Sequence, residues 1–167
     1  VNAKSGRCTE DCIFCAQSSR YRTRARFYPL LAEDDFAAHA RAAREQGAGH
    51  FSIVTSGRGI TGSRELKKLC AAVAAIARCS PPVPCASLGV LGEREFAQLQ
   101  EAGLRRYHHN LETARSHFPA VCTSHSYEAR VQTIRMAQEA GLEVCAGGIL
   151  GMGESPQQER HHAVFQR

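Results

Sequence analysis

At 167 residues with 43% hydrophobic side chains, the chain can bury a sizeable core, and no stretch nears the about 18 apolar residues of a membrane span. Its formal charge of +5 is scattered; Arg20, Arg22, Arg24 and Arg26 cluster, but no nucleic-acid motif accompanies them, so a solvated face or a surface that attracts carboxylate ligands is expected there. Eight cysteines in so long and regularly patterned a chain point to metal ligation in a reducing cytoplasm, not to a disulfide-stapled secreted mini-protein.

The sequence starts at Val1 and its methionines are Met136 and Met152, so a fragment of a longer protein is expected. A first strand-like stretch at residues 1–3 leads into GRCTEDCIFCAQSSRY, residues 6–21, where Cys8, Cys12 and Cys15 are spaced C-x-x-x-C-x-x-C. Three thiolates are one short of the set that closes an iron–sulfur cube, which leaves one iron for a ligand that is not protein. A structural zinc site, a disulfide with a spare thiol, and coincidence are the other readings. Zinc asks for a further Cys or His nearby. The nearest histidine in sequence, His39, falls inside a helical stretch, which disfavours zinc.

Apolar residues at helical spacing then mark residues 33–46, 64–78, 93–101 and 127–140. Strand-like stretches alternate with them at 51–55, 83–87, 106–109 and 143–146. Gly47, Gly49, Gly103 and Gly141 follow helix ends, where a left-handed residue is wanted. The strand–loop–helix unit recurs without a linker, which reads as α/β with a parallel sheet. A doubly wound sheet and a (β/α) TIM-type barrel both satisfy that repeat. The barrel is favoured because the cysteine loop and residues 55–62, 88–92 and 109–123 all follow strands, where barrels build their sites. Five strands do not close such a barrel, so residues 1–167 read as one partial barrel domain. Its sheet edges are expected to be exposed, making it poorly soluble alone.

Several later residues carry chemistry. Asn110 and Glu112 lie two apart in HNLE and project to one side of an extended chain, suited to a ribose or a small polar ring; a simple turn is the other reading. His108 stands at the same strand end. Arg130, on the next helix, is a planar two-pronged donor for a carboxylate, although a helix arginine taken alone is ordinarily a surface residue. GGILGMGE, residues 147–154, permits close backbone approach or a tight turn, and is not the dinucleotide fingerprint. Cys85 and Cys145 sit in apolar strand surroundings, where a cysteine usually acts as a small hydrophobe.

The motif CTEDCIFCAQSSRY, with Phe14 before the last cysteine, resembles the radical S-adenosylmethionine (SAM) enzymes. Together with YHHNLET at residues 107–113 and VCAGGILGMGE at 144–154, it resembles the biotin synthase family over essentially the whole chain. That resemblance implies an eight-stranded barrel of which the first five or so β/α units are present. It implies a 4Fe–4S cluster on Cys8, Cys12 and Cys15, and SAM on the open iron, cleaved to a 5′-deoxyadenosyl radical. By the same resemblance Phe14, Asn110, Glu112, Arg130 and Ile149 contact SAM. Arg130 takes its carboxylate, Glu112 the ribose hydroxyls (where the family often has Asp) and Ile149 flanks the adenine. His108 and Asn110 face the substrate.

The family also implies an auxiliary iron–sulfur cluster, 2Fe–2S or a variant, held by Cys85 and Cys145, whose sulfide is inserted into dethiobiotin. Its third cysteine is replaced here by Ser52, a poor iron ligand because an alcohol stays protonated near neutral pH. An arginine from a later strand would be the fourth ligand. Cys70, Cys79 and Cys122 match no cluster position and read as packing or incidental. The implied partners are dethiobiotin, an electron donor such as flavodoxin or ferredoxin, and a second copy in a homodimer, in the cytoplasm, with no nucleic acid and no membrane. A related radical SAM enzyme without sulfur insertion, hydrogenase-maturase-like or mutase, is the enzymatic alternative. A non-catalytic metal-binding module is the other.

Overall fold

The computed structural model describes residues 1–79 and 81–165. Its strands are β1 (Asn2–Lys4), β2 (His50–Thr55), β3 (Val83–Ser87), β4 (Arg106–His108) and β5 (Glu143–Cys145). Its helices are α1 (Glu33–Glu45), α2 (Gly62–Ala77), α3 (Glu93–Glu101), α4 (Phe118–Val121), α5 (Tyr127–Glu139) and α6 (Pro156–Phe165). The sequence-based boundaries agree to within two residues. The short α4 and the terminal α6 were not expected. α4 is one turn inside a long loop, too short to show a period, and α6 follows the glycine run. Gly47, Gly103 and Gly141 are left-handed as expected; Gly49 is not, and it leads directly into β2.

All five strands are parallel and lie in sequential order β1-β2-β3-β4-β5. A doubly wound sheet reverses its strand order at a switch point so that helices cover both faces. Here no reversal occurs. α1, α2, α3 and α5 instead send Phe36, Leu69, Val73, Ile76, Phe96, Leu99 and Ala137 into one core with Ile53, Ala86 and Tyr107 of the sheet. One face of the sheet is therefore clothed in helices and the other is turned inward, the arrangement of a barrel wall. Each large side chain fully buried in that core contributes about 1.5–3 kcal/mol. Phe96 and Tyr107 add an edge-to-face contact at 4.8 Å.

Because side chains alternate along a strand, the residues between those core positions share the inward face. Register places Ser52 beside Cys85, Cys85 beside Arg106, and Arg106 beside Glu143. Two residues further along, Val54 pairs with Ser87 and His108 with Cys145. The loops after β2 and β3 are stitched at this end. Val90 N donates to Arg58 O at 2.6 Å, and buried Tyr107 donates its hydroxyl to Gly89 O at 2.5 Å. Gly89 has a φ of +84°, and a Cβ there would stand 2.2 Å from Arg58 O, so only glycine permits the approach.

Candidate active site

The strand ends and their loops enclose a cavity of about 430 Å³. Its wall includes Cys8, Cys12, Phe14 and Cys15 from the first loop, His108, Asn110 and Glu112 after β4, and Arg130 from α5. Cys8 and Arg130, 122 positions apart in sequence, thus meet at one opening. Every site residue expected near SAM lines it except Ile149. That residue's amide donates to Glu112 O at 2.7 Å, and the residue is 37% exposed outside the cavity wall.

The cysteine loop is a compact turn. Cys8 N donates to Gln17 O at 3.0 Å, Ser19 N to Cys8 O at 2.7 Å, and Cys15 N to Cys12 O at 3.0 Å. Cys8 and Cys12 are buried and Cys15 is half-buried. Burial pushes the Cys8 thiol up; it pushes Cys12 up to about 12, helped by the neighbouring Cys122 thiol. Buried thiols with raised pKa values are poor free nucleophiles. A second apolar cluster of Cys12, Leu111, Phe118, Cys122 and Tyr127 backs the loop, with Phe14 packed against it.

Opposite the cysteines, Glu112 has a φ of 67°, uncommon for a residue with a side chain. The expected extended HNLE segment is therefore corrected: β4 ends at His108 and the chain turns. The turn still brings the pair together, with Asn110 Nδ2 donating to Glu112 Oε2 at 3.3 Å. Gly147 O accepts from the amides of Leu111 and Glu112, which pins the turn to the loop after β5. A Cβ on Gly147 would stand 3.1 Å from Asn110 Oδ1, so the glycine run serves here as room for that amide. Burial pushes the Glu112 carboxyl up, and Arg130 and Asn110 oppose that shift.

Arg130 donates from Nη1 to Asn110 O at 2.8 Å and from Nε to His125 Nε2 at 3.0 Å, with Nη1 3.5 Å from Glu112 Oε1. His125 Nδ1 lies 2.5 Å from Glu10 Oε2. With Nε2 accepting from Arg130, the imidazole is neutral and its Nδ1–H donates to Glu10, in keeping with burial lowering its pKa. Asp11 receives the amides of Thr123 and Ser124, each at 3.0 Å, and Ser124 Oγ donates to Glu10 Oε2 at 2.7 Å. The Thr123 hydroxyl, which also donates to Asp11, is the largest cause, and with the two amides it holds the Asp11 carboxyl well below the usual range. The cysteine loop and residues 122–125 thus form one unit. Sequence reading passed over Glu10, Asp11 and His125, and set Cys122 aside as packing or incidental. The pattern CTSH at residues 122–125 was the available signal.

The site fits a cluster and SAM on two observations. Three thiols line one cavity with a guanidinium, and Asn110 Oδ1 is buried without a hydrogen-bond partner among the described residues. An orphaned acceptor at a cavity wall calls for a donor from a ligand.

Ser52, Cys85 and Cys145 are absent from that cavity's wall and share the inward sheet face below it. Cys85 is buried at 5% exposure. Cys145 is exposed, which corrects its expected apolar surroundings: β5 is the sheet edge among the described residues. Burial pushes the Cys85 thiol up, and Arg106 and Glu143 beside it pair at 2.6 Å. Cys70 packs against the main core and Cys79 Sγ donates to Ala75 O at 3.4 Å, in keeping with packing roles. No helix among the described residues is long and apolar enough to cross a membrane.

The profile of the Radical SAM superfamily matches residues 3–165, and the chain belongs to that superfamily. Its fold agrees: the structure of methylornithine synthase (PylB) superposes with a TM-score of 0.84 at 16% identity, covering 99% of this chain and 48% of that one. Within the superfamily, the chain is 55% identical along its full length to the biotin synthase of Desulforudis audaxviator (strain MP104C), covering 51% of it. Against the biotin synthase of Pelotomaculum thermopropionicum (strain DSM 13744 / JCM 10971 / SI) the identity is 52%, over 93% of this chain and 48% of the relative. The chain spans about half the length of the curated relatives it matches.

Proposed function

We propose that this chain carries the SAM-binding half of an enzyme that inserts sulfur into dethiobiotin to give biotin. The observation that carries the reading is the cavity that joins Cys8, Cys12 and Cys15 to Asn110, Glu112 and Arg130, in a chain half-identical to biotin synthases. When bound, the cluster and SAM supply the 5′-deoxyadenosyl radical that takes hydrogen from an unactivated carbon.

The protein's own work is ligation, orientation and exclusion of water. Cys8, Cys12 and Cys15 would hold the cluster. Arg130 offers its guanidinium to the SAM carboxylate, and its bonds to Asn110 O and His125 fix the plane of that fork. Glu112 accepts from the ribose hydroxyls, and Asn110 Oδ1 accepts from a ligand N–H or O–H. Phe14 and the loops after β2 and β3 wall off solvent. His108 faces the substrate from the strand end. Below, Cys85 and Cys145 hold the auxiliary cluster, with Ser52 in the same register row as Cys85. Dethiobiotin, a reduced flavodoxin or ferredoxin and a second copy of the protein are the partners, in the cytoplasm.

The test is substrate dependence in the full-length protein. Iron- and sulfide-reconstituted enzyme should yield 5′-deoxyadenosine and biotin from SAM only when dethiobiotin is present. SAM cleavage indifferent to dethiobiotin, with no biotin formed, would move the assignment to a superfamily member that inserts no sulfur.

A further inference from the structure

The closest gathering of soft donor atoms among the described residues is not the cysteine triplet. Cys12, Cys122 and His125 offer ligand atoms that all lie within 4.8 Å of one another. Cys12 Sγ and Cys122 Sγ are 3.6 Å apart, and Cys122 Sγ lies 3.2 Å from His125 Nδ1 and 3.9 Å from Nε2. Two thiolates on one tetrahedral zinc, each at about 2.3 Å, stand about 3.8 Å apart. The sulfurs already hold that spacing. Cys12, Cys122 and His125 are drawn from two segments fastened by the Asp11 and Glu10 hydrogen bonds, so the spacing belongs to the scaffold and not to three free side chains.

We propose that the cluster-free protein binds one zinc-class divalent ion through Cys12 Sγ, Cys122 Sγ and His125 Nδ1, in competition with iron–sulfur assembly. Coordination through Nδ1, the ring nitrogen nearer to Cys122 Sγ, replaces the proton shared with Glu10 Oε2 and moves the proton of the neutral ring to Nε2. It takes from Arg130 the acceptor that its Nε now uses at 3.0 Å. Two thiolates and an imidazole select zinc over magnesium or calcium, which prefer oxygen. Zinc and the cluster exclude each other because both claim Cys12. This half of the inference rests on the cluster reading above. The zinc site itself does not.

The experiment uses the full-length protein, stripped of iron by chelation under anaerobic conditions, in a Cys85→Ala/Cys145→Ala background that removes the inward-facing strand thiols. Cobalt(II) is the probe, and zinc is then added to displace it. The expected result is one tetrahedral cobalt per chain with thiolate charge-transfer absorption, bleached by one equivalent of zinc. Cys122→Ala and the hydrogen-bonding, near-isosteric Cys122→Ser should both lose that absorption and bind zinc at least tenfold more weakly. Cys8→Ala/Cys15→Ala should keep it. Circular dichroism confirms that each variant is folded.

In protein with its natural Cys85 and Cys145, zinc should slow iron loading of the triplet, and Cys122→Ser should relieve that block. Cobalt absorption unchanged in both Cys122 variants, or lost in the Cys8/Cys15 variant, would overturn the site, because the ion would then belong to the triplet. A zinc site that survives while iron loading proves indifferent to zinc would overturn the competition and, with it, the placing of Cys12 on the cluster.

Discussion

Arg130 donates to the main-chain carbonyl of Asn110 at 2.8 Å, so α5 is tied to the turn that ends β4 by the same guanidinium that faces the cavity. Its reach toward SAM is set before any ligand arrives. Replacing Arg130 by Met removes a charged pair of donors worth about 1.5–3 kcal/mol. The SAM dissociation constant should rise about 10- to 100-fold, with iron content unchanged. Arg130→Lys should not restore affinity, because an ammonium lacks the planar fork. Equilibrium binding to the iron-loaded protein measures this, and full rescue by lysine would contradict the bidentate role.

Gly89 and Gly47 separate backbone conformation from close approach. Both have positive φ, but a Cβ at Gly47 meets nothing within 4 Å, whereas one at Gly89 lies 2.2 Å from Arg58 O. Gly47→Ala should cost about 1–2 kcal/mol, the left-handed penalty alone. Gly89→Ala should cost clearly more and also disturb SAM binding, because Arg58, Gly89 and Val90 are part of the cavity wall. Denaturant midpoints of the two variants give the comparison, and equal losses would refute it.

His109 supplies a pH-dependent contribution. It is buried at 5% exposure, and burial, with Arg130, His125 and His108 nearby, lowers its pKa from 6.5 to about 3. Below about pH 6.5 the unfolded imidazole takes a proton that the folded one refuses. Its contribution is therefore complete above 6.5 and falls as the pH drops toward about 3, by at most about 1.4 kcal/mol per pH unit. His109→Phe should flatten stability against pH between 6.5 and 4 relative to the parent. Parallel curves for the two proteins would show that His109 titrates normally.

The auxiliary site makes a separate demand. Cys85→Ala should lower the iron and sulfide content of reconstituted full-length protein while leaving the SAM-responsive cluster in place. Ser52→Cys puts a third thiol beside Cys85 in register and should slow the removal of auxiliary iron by a chelator. Equal iron in the parent and Cys85→Ala would remove the auxiliary cluster from the account.

Much of this was legible in the chain itself, for physical reasons. Apolar residues at helical spacing and short apolar runs at strand spacing placed nine of the elements, because burial on one face writes its period into the sequence. The triplet spacing announced itself because three ligands in one loop are local. Cys122 and His125 did not, since their meeting with Cys12 and Glu10 spans 110 and 115 residues and depends on where α5 docks. For the same reason His39 was the wrong histidine to weigh: its Nδ1 meets only the carbonyl of Asp35, one helical turn back, at 2.6 Å. The turn at Glu112 was hidden too, because a positive φ at a residue with a side chain has no compositional mark.

In the proposed enzyme, Cys8, Cys12 and Cys15 hold a cluster with one iron left open to SAM. Electron paramagnetic resonance of the reduced, iron-loaded protein with and without SAM tests that arrangement most directly. SAM should change the g-values and line shape of the cluster signal, and Cys8→Ala, Cys12→Ala and Cys15→Ala should each abolish that response. A spectrum identical with and without SAM would mean that the fourth iron is already ligated, and would contradict the account.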